Sequence, residues 1–327
     1  SYSQVIKLKP DFVGAHNNLG ATLKAMDRLE EAAVAYKRAL TLKSDFVDAH
    51  YNLGGTLKAL KNYEEAITHF DLVDTHNAKA QCLECLYANK NYSEFDKRIK
   101  LMSASEDVNI RAAAVSAFVA HQRNQEDPYQ YCTNPLDCVK NKNWSEYDFK
   151  SLNLIDQIIK ESDEYQMVWE SRTTKFGFQG SNNVFDNPSP NISHLKDILR
   201  QAIADYYDYF KSESNILMTS WPRKYQLKGW YNRLLKNGYH TAHIHPEGWI
   251  SGVVYLRTPA PSRDNEGAIE FSLHGYDLPI IDENYPRKQH RPKKGDIILF
   301  PSSLFHRTIP FTTDTERCVI AFDLMPV

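Results

Sequence analysis

Two stretches of the chain carry residues whose types and spacing suit metal chemistry. One is His240-Thr241-Ala242-His243-Ile244-His245-Pro246-Glu247; the other runs from Gly295 through Phe300-Pro301 to His306 and Arg317. In an extended strand residues i and i+2 share a face, so His243 and His245 can converge on one point, and so can His245 and Glu247. His306, from a distant strand, would complete a facial set, and three ligands on one face leave positions open for a co-substrate and dioxygen. The set His243, His245, His306 is a three-histidine site; with Glu247 as the alternative ligand it becomes the common two-histidine, one-carboxylate site. Spacing alone keeps both registers open. Pro246 cannot donate to a sheet ladder, so a strand ending there favours ligands before the proline. Arg317 lies eleven residues past His306, on the following strand, where a guanidinium can grip a carboxylate bidentately.

A lone histidine near a strand is usually a core or surface residue. Three of them beside Pro246, the Phe300-Pro301 turn and a downstream arginine point to a metal site. His274 and His290 lack that company and read as loop residues. Trp230, Tyr231 and Trp249 read as core, while Gln179 and Asn232 suit a pocket, a core or a loop equally.

The elements that must position these residues are short. From Arg223 on, β-branched and aromatic runs alternate with turn signals, which predicts strands over Leu227–Leu235, Ile250–Leu256, Ala268–Ser272, Asp296–Phe300 and Cys318–Leu324. Lys294-Gly295-Asp296 reads as a tight turn opening a strand. A further strand is expected over Thr173–Gln179, and helices over Leu152–Glu161 and Ile192–Lys211. Many short strands at this spacing suit a jelly roll.

The first third is a repeat array. Asp11-Phe12-Val13 recurs as Asp45-Phe46-Val47, and Asn18-Leu19-Gly20 as Asn52-Leu53-Gly54, each 34 residues on. That is the period of the tetratricopeptide repeat, a helix–turn–helix unit. Leu19-Gly20 marks close helix packing. His16 and His50 sit at equivalent repeat positions, which favours packing or surface roles over metal binding. Ser1–Lys9 reads as the tail of an earlier second helix, so the natural N-terminus is expected upstream. A third, shorter unit follows, and 104–122 reads as a capping helix, which a solenoid needs at its end. The expected organisation is α + β in two domains: a repeat solenoid over 1–122, a linker over 123–147 rich in Asn, Asp, Pro, Tyr and Cys, and a β domain over 148–327.

From about Trp169 to Val327 the chain resembles the 2-oxoglutarate/Fe(II) oxygenase family that is often fused to tetratricopeptide repeats. The resemblance rests on Gly238-Tyr239-His240, His243-Ile244-His245-Pro246, Ser251-Gly252-Val253-Val254-Tyr255-Leu256, Phe300-Pro301, His306 and Arg317. It implies a double-stranded β-helix, Fe(II) as the metal, 2-oxoglutarate as co-substrate and O2 as oxidant. It further implies that Arg317 takes the distal carboxylate of 2-oxoglutarate, with a hydrogen bond added by Tyr255 or Ser251. The spacing of His243 to Tyr255-Leu256 is the closer to related hydroxylases. The sequence departs from the family's His-x-Asp pattern, since the acid position after His243 is His245. The expected activity is hydroxylation of a C–H bond in a peptide, protein or small molecule. The rivals are a catalytically silent repeat-based adaptor and a three-histidine dioxygenase that does not use 2-oxoglutarate.

Composition bounds the rest. The 327 residues carry a formal net charge of −2 and 24% charged residues, which gives no broad basic surface for nucleic acid. No apolar run approaches the roughly 18–20 residues of a membrane span, so no membrane partner is expected. The partner expected is a peptide or protein on the repeat surface. The cysteines, Cys82, Cys85, Cys132, Cys138 and Cys318, are odd in number, which argues against a disulfide framework and favours a cytoplasmic location. Cys82 and Cys85 stand in a helical pattern with no second such pair and read as core packing.

Overall fold

The computed structural model describes residues 2–105, 107–147, 153–162, 164, 167–169, 173–186, 188–260, 263 and 265–327. The chain divides into two compact units, Ser1–Val119 and Ala120–Val327. Among the described residues no helix is long and apolar enough to cross a membrane. Of the expected elements, Ser1, Leu152 and 148–151 lie outside the described residues.

The first unit is built of helices α1 (Tyr2–Leu8), α2 (Val13–Ala25), α3 (Leu29–Leu42), α4 (Val47–Ala59), α5 (Tyr63–Phe70), α6 (His76–Ala88), α7 (Tyr92–Ser103) and α8 (Ile110–Gln122), the last running across the division. The sequence repeat reappears as geometry. A Cβ on Gly20 would lie 2.7 Å from the Tyr36 ring, and one on Gly54 2.9 Å from Phe70, so each helix pair is closer than any side chain there would allow. His16 Nε2 donates to Pro10 O at 2.7 Å and His50 Nε2 to Ser44 O at 2.8 Å, the same backbone contact in successive repeats. Cys82 and Cys85 are buried, and burial pushes both thiols up to about 12, consistent with packing. The capping helix expected from residue 104 begins only at Ile110, because Asn109 turns its side chain to accept from Ala112 N and so starts the helix there.

The second unit holds strands β1 (Lys140–Asn143), β2 (Met167–Trp169), β3 (Thr174–Gly180), β4 (Tyr225–His240), β5 (Ile250–Arg257), β6 (Ile269–Ser272), β7 (Arg287–His290), β8 (Asp296–Pro301), β9 (Phe305–Thr308) and β10 (Arg317–Pro326). Helices α9 (Leu154–Ser162), α10 (Pro190–Phe210) and α11 (Ile216–Thr219) accompany them. All pairings are antiparallel, in one sheet ordered β1-β8-β5-β10-β4-β3-β2 and another ordered β7-β6-β9. Core residues come from both: Val253 and Tyr255 of β5, Ile298 and Phe300 of β8 and Val319 of β10 pack with Ile269 and Phe271 of β6. Two antiparallel sheets closing on a shared core make a jelly roll.

Two details differ from the sequence reading. The stretch 123–147, expected as a linker, contributes edge strand β1, which pairs with β8 from Lys140–Leu299 to Asn143–Asp296. His290, expected in a loop, ends β7 and bonds Asp296 at 3.1 Å. Both strands, Lys-Asn-Lys-Asn and Arg-Lys-Gln-His, are polar edges without apolar alternation, so periodicity gives no signal for them.

Candidate metal centre

The three histidines converge, by a route slightly different from a shared strand face. β4 ends at His240 and β5 begins at Ile250, so His243 and His245 lie in the connection between them. That connection is pinned to β9 and to the turn that precedes it. His243 N donates to His306 O at 3.1 Å and His306 N returns to His243 O at 3.0 Å, while His245 N donates to Ser302 O at 3.1 Å. Residues 243 and 245 are thereby extended without belonging to a strand, and one ligand atom of each of His243, His245 and His306 lies within 4.8 Å of the others. Glu247, beyond Pro246, is exposed on the rim of the same cavity and outside that set.

Hydrogen bonding fixes which ring nitrogen faces inward. His243 Nδ1 lies 2.7 Å from Thr241 O and His306 Nδ1 3.2 Å from Leu304 O. His245 Nδ1 lies 2.6 Å from Asp323 Oδ1. Carbonyls and carboxylates only accept, so each Nδ1 carries a proton, which leaves Nε2 as the nitrogen available to a metal. Burial holds His306 well below the usual imidazole range, and holds His243 down at about 4. Neutral imidazoles with oriented lone pairs are the form that binds a metal.

Arg317 opens β10 and is 2% exposed. Its Nη2 donates to the Tyr255 hydroxyl at 3.2 Å, while Nε and Nη1 have no hydrogen-bond partner among the described residues. A buried guanidinium with two unused donors is expensive unless an anion completes it. Tyr255 thus orients Arg317. Ser251 stands elsewhere: its Oγ donates to Asp323 Oδ1 at 2.7 Å and lies 2.8 Å from Ser302 Oγ. It backs His245 and does not line the cavity.

The cavity, about 350 Å³, includes His243, His245, His306 and Arg317 in its wall. Alternation on β10 puts Arg317, Val319, Ala321 and Asp323 on this one face, and their β4 neighbours Asn232, Trp230 and Lys228 face it too. Gln179 and Asn232 both face the pocket, and Asn232 Oδ1 is buried without a hydrogen-bond partner among the described residues. Trp230, expected in the core, lines the cavity and stacks on His245 with ring centroids 5.6 Å apart. His240 also lines it, with Nδ1 3.1 Å from Thr308 Oγ1; burial, and then the charge of Arg317, hold it well below its usual range. Asp323 went unread in the sequence, although its even spacing from Arg317 on one strand was the available signal.

The residues present fit a divalent metal. Three imidazole nitrogens suit iron, nickel, copper or zinc, and a facial set leaves room for a bidentate co-substrate. Arg317 fits a carboxylate.

No curated protein matches the chain. Among solved structures it is similar to a Pseudomonas putida prolyl-4-hydroxylase, with 12% identity and a TM-score of 0.41 over 58% of this chain and 92% of that one. It is also similar to HygX from Streptomyces hygroscopicus with nickel and 2-oxoglutarate bound, with 15% identity and a TM-score of 0.43 over 58% and 83%. A prolyl hydroxylase from Trichoplax adhaerens, in complex with a hypoxia inducible factor peptide fragment, gives 13% identity and a TM-score of 0.40 over 64% and 89%. Residues 24–60 and 47–74 match tetratricopeptide-repeat models, and residues 228–323 match the family model described as "Putative 2OG-Fe(II) oxygenase". Residues 228–323 thus carry the match to the 2-oxoglutarate/Fe(II) oxygenase family model, joined in one chain to residues that match tetratricopeptide-repeat models.

Proposed function

We propose that the chain is an Fe(II)- and 2-oxoglutarate-dependent dioxygenase that hydroxylates a C–H bond, with His243, His245 and His306 as metal ligands and Arg317 as the co-substrate's carboxylate grip. One observation carries the reading: three histidines with inward lone pairs and a buried, half-satisfied guanidinium share one cavity. When bound, iron would activate O2, the oxidant, with 2-oxoglutarate consumed alongside it and succinate and CO2 released. The protein's part is geometric. Thr241 O, Leu304 O and Asp323 hold the three rings in one tautomer. Tyr255 holds Arg317, whose free Nε and Nη1 take the distal carboxylate. Val253, Ile269 and Val319 line the cavity with apolar surface that limits water. The repeats recruit the substrate, which makes a peptide or protein the favoured class.

The test is incubation with Fe(II), 2-oxoglutarate and O2. Succinate release, and a 16 Da gain on a peptide from a library, are the expected results. A set of three histidines with no carboxylate would also suit one rival, a three-histidine dioxygenase that does not use 2-oxoglutarate. Substrate oxidation without succinate would select that rival, and neither product would leave the adaptor reading.

A further inference from the structure

The metal reading leaves one buried group unused. Asp323 is 5% exposed, and its Oδ1 accepts both His245 Nδ1 at 2.6 Å and Ser251 Oγ at 2.7 Å. Among the described residues its ion-pair partner is His245, with no lysine or arginine paired to it. A carboxylate held in a low-dielectric interior needs a cation near it. The cation cannot be an intrinsic partner of the usual kind, because His245 is neutral when its Nε2 serves as a ligand. The surroundings are also built tightly. His245 N is tied to Ser302 O, Ser302 Oγ meets Ser251 Oγ at 2.8 Å, and a Cβ on Gly248 would stand 2.8 Å from Ser302 Oγ and 3.1 Å from Asp323 Cγ. Trp230 covers the ring of His245. Through Oδ1 the carboxylate acts along the Nδ1–H bond of His245, with Ser251 as its second donor.

We infer that Asp323 is a positioning residue that supplies, through His245, the negative charge the metal site lacks among its direct ligands. This rests on the three-histidine reading above. A charge count gives the reason. A divalent ion with two histidines and one carboxylate has net charge +1, whereas with three neutral histidines it has +2. Adding Asp323 returns the count to +1, with the carboxylate one bond further out. His245 is also the one ligand of the three whose Nδ1 meets a full anion, since His243 and His306 bond neutral carbonyls.

The test separates charge from shape, using Co(II) as a spectroscopic stand-in and Fe(II) under anaerobic conditions. Asp323→Asn keeps an acceptor for Nδ1–H and removes the charge. Ser251→Ala keeps the charge and removes one of its two hydrogen bonds. Asp323→Asn should bind either metal about 10–100-fold more weakly and shift the visible Co(II) bands, while Ser251→Ala should lose less than about fivefold. Asp323→Asn binding within twofold of the parent overturns the inference, and so does Ser251→Ala losing as much as Asp323→Asn, since position would then matter and charge would not. If Asp323→Asn does not fold, Asp323→Glu carries the test: retained Co(II) binding is expected, and a loss equal to that of His306→Ala overturns the idea. Failure of the underlying metal reading looks different, because the parent chain would then bind no Co(II) or would bind no better than His306→Ala.

Discussion

The two units treat buried polar groups in opposite ways. In the repeats Glu84, 2% exposed, is clasped by Lys58 and by Arg111 at 2.7 Å, so the buried charge is answered from within the unit. In the β unit Arg317 is equally buried and has two nitrogens with no hydrogen-bond partner among the described residues, and three imidazoles each bring a ring nitrogen within 4.8 Å of the others. Satisfied burial is what a scaffold needs. A cluster left short of partners costs stability and persists where a ligand makes up the difference.

The strongest way to break this contrast is to remove a ligand. His306→Ala and His243→Ala should each abolish Fe(II) binding, read by equilibrium dialysis; undiminished metal content in both would refute the metal site. Next in size is Arg317→Ala. Losing a charge-assisted pair costs about 1.5–3 kcal/mol, so 2-oxoglutarate affinity in calorimetry should fall roughly 10- to 150-fold while metal affinity stays nearly constant.

Acid should act on the metal-free β unit through the same histidines. The unfolded chain takes up protons at imidazole near 6.5, whereas folded His243 resists until about 4, and His240 and His306 are likewise held low by burial. Stability is then full above pH 6.5 and declines as pH falls from 6.5 toward 4. Urea midpoints across that window check it, and a flat profile would contradict it. In the repeats, Glu84→Ala leaves Lys58 and Arg111 without their shared anion. Because both cations are partly solvated, the loss should be about 2 kcal/mol, seen as a lower melting midpoint with unchanged metal affinity. Smallest of all, Glu247→Ala should change metal affinity by less than about threefold, since this carboxylate lies on the exposed rim. A complete loss of metal there would move the ligand register by two residues.

The legible parts were those with a period. The 34-residue repeat and the alternation of β4, β5, β8 and β10 announced both architectures. Polar edges such as β1 and β7 were not legible, because nothing apolar marks them. In the site, the histidines and Arg317 stood out by company. Asp323 did not, because a lone acid on an apolar strand reads as any solvated charge until the fold brings it 2.6 Å from His245, 78 residues away. Trp230 read as core for a similar reason: sequence shows its size but not which face of β4 opens on the cavity.

The central position of β10 has a kinetic consequence. It pairs on one side with β4, Arg317 to Leu234 and Pro326 to Tyr225, and on the other with β5. These partners lie about 60–100 residues apart along the chain, whereas each repeat helix packs on its sequence neighbour. Loops that long close slowly, so the repeats should acquire structure well before the sheet does. His243 and His306 meet across an equally non-local bridge. Uptake of metal by a refolding chain would therefore time the last step of sheet closure, with the repeats already folded.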